Sequence, residues 1–383
     1  MDFSYSEEQL ALQDTLQRFI TREYDFETRR KLAHCDVGFS SDAWKQYGEL
    51  GLLALPFAEE HGGLGGNAVD VMLIMEMFGR GLLLEPYFST VVLSGCLIRD
   101  AAPKAMQQAV LPAIAQGKLL VAFAAYEAAG RYDLSHVAVS AVDDGNGGWL
   151  LTGKKSVVLD APSAHQLLVS ARVSGGVGDR DGISMFLVER SAPGLTLASY
   201  PTQCGRRAAD LRLEKVAVSA DSMIGLAALA LPAIERAVDR GIAALCAEAV
   251  GIMLALNEAT LNHLKTRKQF GVPIGKFQVL QHRMADMFIA TEQARSMAII
   301  AAVHADSDSV SERRRAISGA KTYIGQAARL VSQQAVQLHG GMGLVDELIV
   351  SHYFKRLTMI NMSLGDADYH LARFSGALEA QSA

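Results

Sequence analysis

A chain of 383 residues, 50% hydrophobic and 20% charged, can bury a sizeable core and has room for two or three domains. Its formal net charge of -5, with no basic block, gives no electrostatic footprint for nucleic acid. Cys35, Cys96, Cys204 and Cys246 are scattered, without a CxxC pair or zinc-type Cys/His spacing, and predict isolated reduced thiols and no metal site.

The opening residues, MDFSYSEEQLALQ, are acidic and amphipathic, the opposite of a signal or transit peptide, and a cytoplasmic protein is expected. Ser6 with Gln9 three residues on predicts a capping box that opens a helix carrying Leu12, Leu16, Phe19 and Ile20. Ser41 is expected to cap the next stretch, with Trp44, Tyr47 and Leu50. The glycine loop from His61 to Gly66 breaks the pattern, which resumes over 68–83 and 101–114. That loop lacks the Lys and Ser/Thr of a phosphate-binding P-loop and follows no strand, so it reads as a turn. The most apolar windows, 69–84 and 241–256, carry Asp70, Glu76, Arg80 and Glu248; they predict buried helices and no membrane span.

Near Lys118 the period changes. Runs at 121–125, 137–142, 149–152, 166–171, 183–188, 195–197 and 211–218 are short and β-prone, with turns such as Asp143–Gly148 between them, and predict an antiparallel sheet or small barrel. Strands are expected to cease after Ile224. Helical patterns over 231–267, 277–305, 311–339 and 346–378 predict an antiparallel four-helix bundle. The expected fold is therefore α+β in three domains: helical over 1–117, β over 118–224, and a four-helix bundle over 225–383.

The long helical pattern that carries Ile242, Leu245, Ala249, Ile252 and Leu256 is expected to run to Gly271, placing Arg267 and Lys268 in a last turn where basic groups complement the helix dipole. Around the same bend, Arg267, Phe270 and Gln278 bring together a guanidinium, an aromatic face and an amide. Those groups could hold a phosphate, a planar ring and a polar edge.

TRKQFGVPIGKFQ at 266–278 and QLHGGMG at 337–343 together resemble the acyl-CoA dehydrogenase family, flavoenzymes that oxidise acyl-CoA thioesters to 2,3-enoyl-CoAs. Glu49–Pro56 and His61–Gly66 extend the likeness, and the helix, sheet, helix order is the family's. Arg131-Tyr-Asp-Leu134, Phe354–Ile360 and Gly365-Asp-Ala-Asp368 are similar to the branch called the small subunit of pimeloyl-CoA dehydrogenase.

The resemblance implies FAD, an acyl-CoA substrate and electron-transferring flavoprotein as acceptor. It also implies that Arg267, Phe270, Gln278, Gln337, Gly340 and Gly341 contact the adenosine diphosphate end of a neighbouring subunit's FAD. The family's catalytic base, a Glu about two dozen residues beyond the double glycine, is matched by Leu364; the alternative position some relatives use is matched by Gly241. Glu248, two turns further along, reads as a packing or ion-pair residue, and Asp366 and Asp368 as loop caps. The family's flavin-cradling Thr-Glu-Pro-Gly-Ala-Gly-Ser-Asp loop is matched by Tyr126–Asp133, with Arg131 and Tyr132 in place of glycine and serine. Its Trp-Ile-Thr is matched by Val157-Val158-Leu159.

Three readings follow. The leading one is a subunit of a heteromeric acyl-CoA dehydrogenase, acting on a dicarboxyl or bulky chain such as a steroid side chain, whose catalytic base lies in a partner. The others are an active homotetramer with Asp366 as an unusual base, and a flavin-free structural or acyl-CoA-binding subunit. Arg131 is a candidate partner for a distal substrate carboxylate.

Overall fold

The computed structural model describes residues 5–382, with side chains through Leu378; Met1–Ser4, in the acidic opening stretch, and Ala383 lie outside it. The N-terminal helices are α1 (Glu7–Glu23), α2 (Phe26–His34), α3 (Ser41–Glu49), α4 (Ala68–Gly81), α5 (Cys96–Ala101) and α6 (Lys104–Ala115). The strands are β1 (Val121–Ala124), β2 (Ser140–Asp143), β3 (Gly148–Leu159), β4 (Gln166–Arg172), β5 (Ile183–Glu189), β6 (Leu195–Pro201), β7 (Arg207–Ser219) and β8 (Met223–Ile224). Then come α7 (Leu231–Thr266), a hairpin of β9 (Lys268–Gln269) and β10 (Val272–Pro273), α8 (Gln278–Ala305), α9 (Val310–His339), α10 (Ile349–Met362) and α11 (Ala367–Ser382).

Two compact units emerge. One holds Leu32–Asn67 and Leu84–Gly241; the other holds the chain up to Lys31, Ala68–Leu83, and everything from Ile242.

The first unit is built on the sheet, ordered β6-β7-β3-β2-β4-β5-β8, with β1 also on β4. Most pairs are antiparallel, as the short β-prone runs predict, but β1 and the start of β2, at Ser140, both lie parallel to β4. Inward residues such as Val139, Leu151, Val169, Phe186 and Leu211 form its core. Strands β3 and β7 run longer than their β-prone stretches, because cross-strand pairing carries them through Lys154 and Lys155, which the sequence pattern does not mark as strand. Helix α3 is capped by Ser40, whose hydroxyl accepts from the Ala43 N–H, and not by Ser41, which begins the helix. The Ser6–Gln9 capping box, in the other unit, is as read from the sequence.

The second unit is helical. Helix α7 is long and apolar enough to cross a membrane, but 78% of that apolar window is buried within the protein, as befits a core helix. It meets α4 backbone to backbone. A Cβ on Gly251 would lie 1.8 Å from the Glu76 carbonyl oxygen, and one on Gly79 would lie 2.1 Å from that of Glu248, so a glycine is required on each helix. Helices α8, α10 and α11 pack on α9. The last expected helix is two: it breaks at Ser363–Asp366, where Leu364 has φ +58° and Gly365 φ +106°. The expected fourth helix of the bundle is therefore α10 followed by α11.

Candidate functional site

Helix α7 ends at Thr266, one residue short of Arg267, and strands do not cease at Ile224: Lys268–Gln269 pairs with Val272–Pro273 in a tight hairpin. Its two turn residues, Phe270 at φ +52° and Gly271 at φ +80°, both take the left-handed conformation that a two-residue hairpin turn of this hand demands. Glycine adopts it freely. For a phenylalanine it is strained, and the side chain is 91% exposed, touching the Phe277 ring edge-on at 6.1 Å. Arg267 anchors the hairpin: its N–H donates to the His263 carbonyl at 2.9 Å, and its own carbonyl accepts from Ile274 N–H at 2.8 Å. The Arg267 side chain is exposed. Gln278, also exposed, is the first residue of α8, whose start carries no side-chain cap. Helix dipole and first-turn N–H groups there favour an anion.

Gln337 is exposed near the end of α9, and its carbonyl accepts the Gly340 N–H. Gly340 has φ +64° and ψ -146°, a region open in practice only to glycine. Gly341 has no such reason within this chain: an added Cβ would meet nothing within 4 Å.

What joins the hairpin to this turn is a pair that the sequence reading left without a role. His263, in the last turn of α7, stacks on His339, the last residue of α9, with ring centroids 4.4 Å apart and planes 31° apart. The six residues expected to touch nucleotide thus lie on two segments that this ring contact bridges. The sequence marks neither histidine as a contact partner, since the two are far apart in the chain and no local spacing encodes their contact.

The segments expected to be altered are arranged differently. Glu127 of the Tyr126–Asp133 loop is a staple: its carboxylate accepts from Ala138 and Val139 N–H and from the buried Lys155 Nζ at 2.8 Å. Burial works to raise its pKa, but Lys155 and the two N–H groups outweigh it and hold the carboxyl below the ordinary range. Arg131 is exposed and sits at φ +51°, a left-handed conformation that its bulky side chain disfavours. Val157 bulges out of β3 at φ +53° and is 56% exposed, while Val158 is buried.

No carboxylate stands at Leu364. Lys321 holds the loop through the Ile360 and Ser363 carbonyls, and His370 donates from Nε2 to the Leu364 carbonyl at 3.0 Å. Asp366 is committed as a cap, its Oδ1 accepting from Tyr369 N–H at 2.9 Å. Glu248 is buried in a two-bond pair with Arg356 at 2.6 and 2.7 Å, the ion-pair role read from the sequence.

Family models for the acyl-CoA dehydrogenase N-terminal, middle and C-terminal domains match residues 6–118, 122–216 and 231–377. The short-chain specific acyl-CoA dehydrogenase of Bos taurus is 31% identical over 324 residues, covering 82% of this chain and 77% of its own. The chain belongs to the acyl-CoA dehydrogenase family. Membership makes it an FAD-dependent oxidoreductase acting on the CH–CH group of acyl-CoA. A probable acyl-CoA dehydrogenase of Bacillus subtilis, YngJ, is 28% identical over 375 residues, 96% of this chain and 97% of that protein. Among solved structures, a variant of the Tcur3481-Tcur3483 steroid ACAD superposes with a TM-score of 0.88 at 27% identity, over 98% of this chain and 99% of that one.

For an acyl-CoA dehydrogenase the fit to FAD is uneven. The exposed cation, exposed aromatic ring and open glycine backbone of the hairpin and double-glycine turn suit a dinucleotide. The loop at 126–133 suits it less, since Arg131, at the position the resemblance gives to a phosphate-approaching glycine, carries a bulky side chain at φ +51°.

Proposed function

We propose that this chain is one subunit of a heteromeric acyl-CoA dehydrogenase of α2β2 composition, and that it completes the FAD site of a partner subunit in trans. The partner carries the glutamate and the flavin-cradling loop. Bound FAD supplies the hydride acceptor for the β-hydrogen of the substrate. The residues of this chain bind and orient: Arg267 pairs with phosphate oxygens, Phe270 offers a face to a planar ring, Gln278 and Gln337 bond polar edges, and the Gly340–Gly341 backbone makes a close approach.

One observation carries the reading. Phe270 is 91% exposed and held in a strained conformation that a single edge contact with Phe277 does little to offset, whereas Glu248 and Asp366, two carboxylates considered as base, are engaged elsewhere. Local strain of that kind is retained where a partner or ligand uses it. The engagement of Asp366 as a helix cap weighs against an active homotetramer with Asp366 as base.

The likeness to the pimeloyl-CoA branch, and to a protein named as a steroid ACAD under two joined designations, supports a dicarboxyl or otherwise bulky acyl chain. Electron-transferring flavoprotein is the expected acceptor and the cytoplasm the expected location. The test is co-expression with candidate second subunits. Co-purification with about one FAD per two chains supports the proposal; one FAD per chain and turnover by this polypeptide alone refutes it.

A further inference from the structure

We propose that His263 and His339 are positioning residues: their stacked rings are the strut that locks the Arg267–Phe270 hairpin to the Gly340–Gly341 turn, and protonation releases it. The inference rests on the reading of those two segments as one nucleotide-contacting surface, but the strut can be measured without nucleotide.

The geometry gives the rings a joining role. His339 is buried, and its Nδ1 donates to the Ala335 carbonyl at 2.8 Å, which fixes the ring plane and leaves the lone pair on Nε2. His263 lies across it at 4.4 Å. One turn beyond His263, Arg267 supplies both the last helical N–H and the carbonyl that closes the hairpin, so a shift of the His263 ring is passed to the hairpin base through the backbone. On the α9 side, the Gln337 carbonyl just before His339 holds the Gly340 N–H just after it.

Charge decides when the strut holds. Burial, His339 and Arg267 all push the His263 pKa down; burial does the same for His339, with the Ala335 bond opposing. Both rings are therefore neutral at neutral pH. From α8, Arg283 reaches α9 at Gln334 with a 3.2 Å bond, adding another cation on that side. The nearest carboxylates along the chain are occupied: Glu258 faces Arg80 at 3.4 Å, and Asp346 faces Lys355 and His352 at 3.1 and 3.2 Å and Arg30 at 3.7 Å. A second proton on the pair would put two like charges in ring contact beside Arg267, and the rings must part.

Hydrogen exchange on the full chain tests this, with peptides from the β-sheet as an internal control for global unfolding. Between about pH 7.5 and about pH 5, on either side of the ordinary histidine range, protection of 263–274 and 337–344 should fall together by about tenfold or more after correction for intrinsic rates. His263→Phe keeps a ring but cannot titrate, and should keep both segments protected at the lower pH. His263→Lys should lose protection in both at neutral pH. Unchanged wild-type protection in acid, a response of one segment alone, or acid release in His263→Phe equal to wild type would overturn the proposal. FAD retention by the two-subunit complex is measured in parallel. If exchange follows the strut but FAD release ignores it, the strut stands and the trans-FAD reading fails.

Discussion

Replacing Phe270 with asparagine should move two measurements in opposite directions. At φ +52° the phenylalanine carries a left-handed penalty of about 1–2 kcal/mol, which asparagine largely escapes, and the change creates the Asn-Gly sequence preferred by this turn. Against that stands the lost edge contact with Phe277, at 6.1 Å and 86°. For a ring 91% exposed it is worth the low end of about 0.5–1.5 kcal/mol. The isolated chain should therefore gain about 0.5–1 kcal/mol, raising its melting temperature by about 1–2 °C. In the complex the same change removes a phenylalanine whose full burial contributes about 1.5–3 kcal/mol, so FAD should be held about 10- to 140-fold more weakly. Thermal melting of the lone chain and equilibrium FAD binding by the complex give the two numbers. A destabilised lone chain refutes the strain argument; undiminished FAD binding refutes the role of this ring.

Further predictions separate contacts made inside the chain from those made to a partner. Gly340→Ala should cost about 1–3 kcal/mol of stability, because its φ and ψ suit only glycine, whereas Gly341→Ala should leave the lone chain within about 0.5 kcal/mol and still weaken FAD binding; denaturant titration and flavin release measure each. Arg356→Met leaves the Glu248 carboxylate buried and unpaired and should destabilise by about 3–5 kcal/mol, with Glu248→Gln showing no specific loss of turnover in whatever complex folds. If that variant folds and retains FAD but loses turnover, Glu248 is the base after all. Burial pulls the His370 imidazole down to about 3, so the unfolded chain binds a proton there that the folded chain does not. Stability from this group is whole above the ordinary histidine range near 6.5 and falls by about 1.4 kcal/mol per pH unit below it. His263, His339 and His352, also shifted down, add slope of the same sign, and His370→Gln should flatten the acid limb of unfolding free energy against pH.

Much of the architecture was legible because it is written in local spacing. The capping box at Ser6 and Gln9, the apolar stripe of α7 and the alternating run of β7, with Leu211 and Leu213 and then Val216 and Val218 buried, follow the spacing of the element they form. The misplaced boundaries share a cause. Ser40 and Ser41 are adjacent and both can cap, so chain entry chose between them. The division of α10 from α11 depends on a bound carbonyl at Leu364 and a lysine from α9, partners distant in sequence. The hairpin after α7 is two residues per strand, too short for any periodicity to show.

By itself the sequence determined side-chain identity: Leu364, at the position the resemblance gives to the base, cannot accept a proton, and Arg131 and Val157 stand where the resemblance expects a glycine and a tryptophan of a flavin cradle. Only the tertiary structure decided what the retained groups can do together. Two histidines from the ends of different helices meet, an aromatic ring is turned outward against its own backbone preference, and Glu248 is consumed by Arg356, since proximity, exposure and pairing are properties of packing, which no single stretch of residues encodes.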